Sequence, residues 1–482
     1  MKLYRQLADD FAASIQNGTL EAGTRVPSVR ELSRERGLSP STVVHAYELL
    51  EASGFIETRP RSGFYVSAGW RANHASSGSG QASRTRPTQA SPATKVPRTT
   101  RVDVSELVFQ VLESVRDHKV VPLGSAFPSP TLFPLARLAR CLSAAGRQMD
   151  PWNTVDALPP GNPELRAQLA RRYLRAGASV APDEIVVTSG ALEGLNLCLQ
   201  ILTRPGDIVA IESPAFYGCL QAVEALRLRA IEVPSHPRDG VDIGALGRIL
   251  ERHPVRACWL MTNFHNPLGA LVPEDSRQEL VRLLERHDVP LIEDDVYCEL
   301  YFGRRRPKPT KAFDRKGLVL HCGSLSKSLA PGYRIGWVAA GRYATALQRR
   351  KIMSTLSTTI PAQDAITLYL REGGYDRHLA SLRRALASQQ AAALASLSKH
   401  LPAGYRVLRP EGGYFLWLEL PPGHDAIEIH QRALELGFSV APGPIFSAKR
   451  QYRNCLRLNT GHPWTAAFDT AVRKLGEILR SR

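Results

Sequence analysis

No stretch of the 482-residue chain approaches the roughly 20 consecutive apolar residues of a membrane span. Its opening residues are interrupted by Asp9 and Asp10, where a secretory signal needs an unbroken apolar segment. A cytoplasmic protein with no membrane partner is therefore expected. The cysteines are few and far apart: Cys141, Cys198, Cys219, Cys258, Cys298, Cys322 and Cys455 include no Cys-x-x-Cys pair and no Cys/His spacing suited to zinc. Neither a disulfide framework nor a metal site is indicated, and no internal repeat is evident. Between Ser67 and Arg101 acids are missing altogether and aliphatic residues nearly so. That segment, rich in Ser, Gly, Thr, Pro and Gln, reads as a flexible linker spanning about 30 to 35 Å by random-coil scaling.

The linker divides a chain too long for one ordinary domain, with enough hydrophobic content (43%) to build real cores. The expected organisation is a head at residues 1–66, the linker at 67–101 and a body at 102–482. In the body, a large subdomain at about 150–375 would pack against a smaller α+β one formed by about 102–149 with 376–482. The formal net charge of +17 would suit a polyanion. In residues 1–66, however, eight bases are matched by eight acids, so a case for DNA there must rest on placement. The linker adds six bases, among them Arg84, Arg86 and Arg98.

In the head, two helices are expected around a tight turn. VPSVRELSRERG has Ser28 near its start and Gly37 at its end, and SPSTVVHAYELLEASG has Ser39 as N-cap with Pro40 at the first helical position. Ala46, Leu49 and Leu50 would face inward, leaving Ser41, Thr42 and His45 at an exposed start. The following FIETRPRSGFYV alternates about a Gly-containing turn, as a two-stranded wing would. The bland alternative is a small helical bundle. Yet the segment from YRQLADDF to GFYV, including GTLEAGTRVPSVREL, resembles the GntR family of bacterial regulators over its whole length. That resemblance implies a winged helix-turn-helix binding double-stranded operator DNA. Arg30, Ser39, Ser41, Thr42 and His45 would lie at the DNA, and the turn at Arg61 and Gly63 would approach the minor groove. Pro40 and Val44 depart from contacts made by some relatives, so sequence preference does not transfer.

In the body, short apolar runs (EIVVTSG, DIVAIES, ACWLMTN, PLIEDD, GLVLHCGS) alternate with helical segments such as LRAQLARRYLRAG and EDSRQELVRLLERH. This predicts an α/β fold with a mostly parallel sheet, whose strand ends are where ligands gather. A lone lysine is nearly always a surface charge, but Lys327 in GSLSKSLAPGYRIG is flanked by Ser324, Ser326 and Arg334, two hydroxyls and a guanidinium suited to one phosphate. Ser189-Gly190-Ala191 leads from a strand into a helix, where backbone N–H groups could cradle an anion. Asp294 sits at a strand end. The alternatives for it are a solvated acidic turn or a metal site with Glu293 and Asp295, though no nearby histidine or further carboxylate speaks for the metal.

GSLSKSLAPGYRIG, TNFHNPLG and EDDVY occur in the order and rough spacing of the fold-type I pyridoxal phosphate (PLP) enzymes, and the resemblance runs over nearly all of 105–482. It implies Lys327 as the Schiff-base lysine, Asp294 against the pyridine nitrogen, and Asn266 and Tyr297 on the ring hydroxyl. It also implies Gly190, Ala191, Leu192, Ser324, Ser326 and Arg334 around the phosphate, Phe216 stacked on the ring and Arg457 on a substrate α-carboxylate. Head and body together resemble the MocR subfamily of GntR regulators, which implies a homodimer. The tyrosine that aminotransferases commonly carry before the Gly matching Gly161 is missing, which puts turnover in doubt more than cofactor binding. The leading expectation is a regulator sensing PLP or an amino compound through an aldimine at Lys327. The alternatives are a working amino-acid aminotransferase with an accessory head, and a DNA-bound structural protein with an empty pocket.

Overall fold

The computed structural model describes residues 3–16, 19–59, 62–67, 99–114, 119–152 and 158–481. The chain divides into two compact units, residues 1–97 and 98–482. Most of the expected linker, and Arg61, lie outside the described residues.

The first unit holds α1 (Leu3–Gln16), α2 (Val29–Arg36) and α3 (Pro40–Ala52), followed by the strand pair β1 (Ile56–Arg59) and β2 (Gly63–Val66). Ser28 and Glu31 close a capping box on α2, and Gly37 ends it in the left-handed conformation with its N–H on the Ser33 carbonyl. Ser39 caps α3 by accepting the Thr42 amide. The inward face of α3 is Val43, Ala46, Tyr47 and Leu50, whereas Leu49, expected inside, is 38% exposed. The 3.6-residue period accounts for this: with Val43, Ala46 and Leu50 on the core side, Leu49 falls at its margin. Tyr47 packs edge-on to Phe11 and Phe64, and its hydroxyl donates to the Pro27 carbonyl (2.7 Å).

The second unit is built on a nine-stranded sheet. Its strands are β3 (Thr100–Arg101), β4 (Ile185–Thr188), β5 (Ile208–Ser213), β6 (Arg229–His236), β7 (Gly240–Val241), β8 (Val255–Leu260), β9 (Leu291–Asp294), β10 (Val319–Ser324) and β11 (Gly336–Ala339). The order is β3-β6-β5-β8-β9-β10-β11-β4, with β7 paired off β6. The run from β6 to β10 is parallel, and β3, β7 and β11 are antiparallel to their neighbours. Every residue of β4, β5, β9 and β10 is buried. Burial of both faces is what favours continuous apolar runs over alternation in these strands.

A second sheet is antiparallel, in the order β12 (Arg406–Val407), β13 (Phe415–Glu419), β15 (Cys455–Asn459), β14 (Ala441–Pro442). The 27-residue helix Gly374–His400 joins the cores: Leu379, Leu382 and Leu386 pack with the large part, and Ala393 and Leu397 with the small one.

Two expected boundaries change. Thr100 and Arg101, counted in the linker, already form an edge strand of the large sheet. Residues 102–149 do not belong as a block to the small part. Val104 and Val108 join the core under β5 and β6, and Leu138, Cys141 and Ala145 of helix Leu135–Gln148 pack with helix Ile360–Arg371. Of the described residues in this stretch, Val121 and Leu123 reach the small sheet's core. Among the described residues no helix is long and apolar enough to cross a membrane.

Candidate functional site

The carboxyl ends of the strands carry the expected groups. Lys327 stands on the turn after β10, Asp294 ends β9, Tyr297 follows it, Asn266 lies in the loop after β8, and Phe216 follows β5. Lys327 is half-buried. Its Nζ donates to the Ala126 carbonyl (2.9 Å) and sits 3.8 Å from the centre of the Phe127 ring. Burial, then the Arg457 and Arg334 guanidinium charges, pull this amine down to about 7 against the partial counterweight of Asp294. The shift ties four groups of distant sequence into one electrostatic site.

Asp294 is buried, with its Oδ1 lacking a well-formed hydrogen bond. Burial and the neighbouring Asp295 charge lift its carboxyl to about 7. A buried carboxylate with a vacant lone pair suits a cationic N–H donor. Arg457, on β15, is fully buried. Its guanidinium donates to the carbonyls of Gly124 (2.7 Å) and Ser125 (3.1 Å) and to Asn266 Oδ1 (3.2 Å), and lies over the Phe415 ring. Its Nε has no partner, and no carboxylate pairs with it among the described residues. Such a cation calls for an anionic guest.

At the other end of the site, Gly190 (φ +86°) opens the helix Ala191–Leu202 with no side chain capping the first turn. A Cβ there would lie 2.3 Å from Arg334 Nη2, so only glycine admits the guanidinium. Arg334 donates to Ser326 Oγ and to the Ser189 carbonyl, both at 3.3 Å. Ser324 and Ser326 are buried, Ala191 is buried, and Leu192 points outward at 47% exposure, leaving its backbone to the site. Bare helix amides, a guanidinium and a hydroxyl around a gap shaped by glycine fit a phosphate monoester. Phe216 is half-buried at the junction of two apolar clusters and its ring lies against Gly218, where a Cβ would meet it at 2.5 Å. The lowered amine, the unpartnered carboxylate oxygen and the glycine-shaped cradle beside Arg334 suit the aldehyde, the ring nitrogen and the phosphate of a pyridine aldehyde phosphate.

The acidic trio at the end of β9 differs from expectation. His321 of β10 does reach it: Glu293, Asp295 and His321 cluster closely enough to hold an ion. All three are already engaged. Glu293 accepts from Thr262 Oγ1 and from the amides of Thr310 and Lys311. Asp295 accepts from Asn263 and bonds His321 Nε2 (2.9 Å), and His321 Nδ1 bonds the Tyr173 hydroxyl (2.6 Å). The cluster reads as a saturated polar core.

Sequence reasoning missed the segment 124–127, whose carbonyls and ring lie on Lys327 and Arg457. Nothing in GSAFPSP marks it beyond a Gly/Pro/Ser-rich loop. Of the residues just before Gly161, where that tyrosine would stand, 155–157 lie outside the described residues, and Leu158 is 46% exposed.

In the head, Arg30, Ser39, Ser41 and His45 are exposed and Thr42 is half-buried. Ser39 Oγ bonds both Ser41 Oγ (2.9 Å) and Thr42 Oγ1 (2.8 Å), and His45 Nδ1 turns back onto the Ser41 carbonyl (2.8 Å). Gly63 has φ +107° with the Arg25 guanidinium 3.5 Å from where a Cβ would stand, so Arg25 lies alongside the wing.

Comparison with known proteins matches residues 153–475 to the family Aminotransferase class I and II, and residues 3–66 to Bacterial regulatory proteins, gntR family. The chain is 46% identical, over the full length of both, to the HTH-type transcriptional regulator YdcR of Escherichia coli (strain K12). It is 30% identical to 2-aminoadipate transaminase of Thermus thermophilus, over 77% of this chain and 93% of that one. Among solved structures, LysN, the alpha-aminoadipate aminotransferase of Thermus thermophilus complexed with N-(5'-phosphopyridoxyl)-L-leucine, matches with TM-score 0.73 at 30% identity, over 79% of this chain and 96% of that one.

Proposed function

The chain belongs to the class I and II aminotransferase family and carries the DNA-binding head of the gntR regulators, the MocR-type architecture, and from that premise we propose a PLP-dependent transcription regulator whose body senses an amino compound or PLP at Lys327. The observation that carries this reading is the Lys327 amine, drawn down to about 7 between Arg457 and Arg334 with Asp294 facing them. An amine about half neutral near pH 7 is a far better nucleophile than a surface lysine, which is almost wholly protonated there. When bound, PLP supplies an aldehyde that bonds an amine covalently and a ring that draws off electrons once protonated.

The chain's residues divide the remaining work. Asp294 Oδ1 would accept the ring N–H, Asn266 and Tyr297 would bond the ring hydroxyl, and Phe216 would stack on the ring. The first amides of helix Ala191–Leu202, with Ser324, Ser326 and Arg334, would hold the phosphate. Arg457 would take an α-carboxylate. Because the Gly124 and Ser125 carbonyls already occupy that guanidinium, a ligand carboxylate would compete with this segment for Arg457. Competition of that kind supplies the different affinities for two states without which no ligand shifts an equilibrium.

In the head, Arg30, Ser39, Ser41, Thr42 and His45 would face the operator, with Gly63 and Arg61 toward the minor groove. The dimer is supported by exposed apolar side chains: Leu192, Ile352 and Met353 belong to two helices packed on each other, and Leu356 directly follows the second.

The test is the yellow absorbance of the purified protein, a borohydride-fixed adduct mapped to Lys327, and promoter binding titrated with PLP and a panel of amino acids. A Lys327→Ala protein that still responds normally to all of them refutes the reading. A working aminotransferase is favoured by the buried Arg457, and rapid release of a keto acid in a single turnover would establish it.

A further inference from the structure

The net charge does not reside where the DNA-reading helices are. Of 62 bases and 45 acids, eight of each lie in residues 1–66 and six bases with no acid in residues 67–101, leaving 48 and 37 in residues 102–482. The body therefore holds a formal excess of +11 and the head none.

Part of that excess gathers at one edge of the large sheet, at the amino ends of the parallel strands, opposite the end that bears Lys327. Arg229 opens β6. It pairs with Ile208 of β5 on one side and with Arg101 of β3 on the other, and Val255, which precedes Arg256 in β8, pairs with Ile208 in turn. The turns between are knitted together: the Arg229 amide donates to the Asp207 carbonyl and the Gly206 amide to the Arg227 carbonyl, both at 2.9 Å. Arg101, Arg204, Arg227, Arg229 and Arg256 are all exposed along this edge. They border two open grooves of about 940 and 570 Å³.

Two features show that the edge lacks its counter-charge. Arg101 lies directly across from Arg229, a like-charge pairing that weakens a sheet. Among the described residues, Arg101, Arg204, Arg227 and Arg229 have no ion-pair partner, and Arg256 has Asp207 at 3.9 Å. The acids nearby serve the backbone instead: Glu224 accepts from the amides of Val104 and Ser105, and Asp207 from that of Arg204. Asp103 lies 3.9 Å from Arg450.

We infer that this edge is a contact surface for the phosphate backbone of duplex DNA, separate from the winged helix and blind to base sequence. The arginines are exposed and spread over four strands, about 14 Å at the usual strand spacing, so they do not converge on a small anion. That span matches about four phosphates along one DNA strand. The chain also enters the body here, since β3 directly follows a segment, residues 67–99, with five bases and no acid. The inference rests on the reading of the protein as DNA-binding.

The experiment uses the full-length protein and a fluorescent duplex of unrelated sequence, titrated at rising KCl. Arg101→Gln, Arg227→Gln and Arg229→Gln together should flatten the plot of log affinity against log salt by about 2 to 3, since each phosphate contact contributes about 0.9. Arg204→Gln with Arg256→Gln, a second route through exposed side chains, should flatten it by about 1 to 2. A control triple of equal charge, Arg282→Gln, Arg286→Gln and Arg315→Gln, should leave the slope near wild type. An unchanged slope in both edge variants, or an equal change in the control, overturns the surface. Wild-type protein that binds no duplex at all overturns the DNA reading itself, which separates the two failures.

Discussion

At the scale of single residues, the chemistry depends on charges held out of water. Burial lowers the Lys327 amine because the charged form loses its hydration, and Arg457 and Arg334 lower it further by repulsion. Capture of PLP by Lys327 should therefore rise with pH about a midpoint near 7, whereas an exposed lysine would show a midpoint of about 10.4. Timed borohydride fixation followed by peptide mass analysis reads that midpoint. Arg457→Gln should move it upward by removing a repelling cation, and Asp294→Asn downward by removing the stabilising carboxylate. The sign for stability follows from the same shift. The folded state binds this proton less tightly than the unfolded chain, so Lys327 destabilises the cofactor-free protein fully below pH 7, and the penalty fades as pH rises from about 7 toward the unfolded value. The Glu293–Asp295–His321 group makes a contrasting case. With its ligand atoms committed to Thr262, Asn263, Tyr173 and backbone amides, exhaustive chelation should leave the melting temperature unchanged. A fall of several degrees on chelation would show an ion there.

At the scale of elements, the phosphate end of the site depends on how closely β11 approaches the helix after β4. A Cβ on Gly336 would come within 2.5 Å of the Gly190 carbonyl carbon and 2.6 Å of the Ala191 amide, both backbone atoms with little room to yield. Gly336→Ala should cost about 1 to 3 kcal/mol by overpacking and weaken PLP retention more than Arg334→Lys does. Thermal melts and cofactor dialysis measure the two effects separately. In the head, Ser28 and Glu31 satisfy each other's backbone donors at the start of α2, so Ser28→Ala should destabilise that unit by about 0.5 to 2 kcal/mol. Arg30, between them in the same turn but exposed, takes no part in that capping. Arg30→Ala should leave the melt unchanged and weaken promoter binding more than tenfold in a gel-shift titration.

At the scale of the whole molecule, an exposed apolar set such as Met353 (81% exposed) and Leu356 (55%) is costly unless a second copy covers it. Sedimentation should give about twice the 53.0 kDa chain mass, and Met353→Glu with Leu356→Glu should shift it toward the monomer. Composition changes sharply at the acid-free segment from Ser67, and the two compact units part within that segment, between residues 97 and 98. The domain plan was not readable where the chain crosses between cores. Helix Leu135–Gln148 has an amphipathic pattern that would suit either part of the body, and the partner that buries it, helix Ile360–Arg371, lies more than two hundred residues away.

The sequence by itself determined the strands, the capped helices of the head and the strand-end residues Lys327, Asp294, Asn266 and Tyr297. Backbone preference and apolar period act over a few residues and are written locally. Tertiary structure alone decided that Gly124, Ser125, Ala126 and Phe127 lie across Lys327 and Arg457, that His321 meets Asp295, and that Arg101 faces Arg229. Those contacts join residues between 26 and 333 positions apart. They form because sheet register and the closing of the small sheet's core bring distant segments together, and no local pattern encodes which segments will meet.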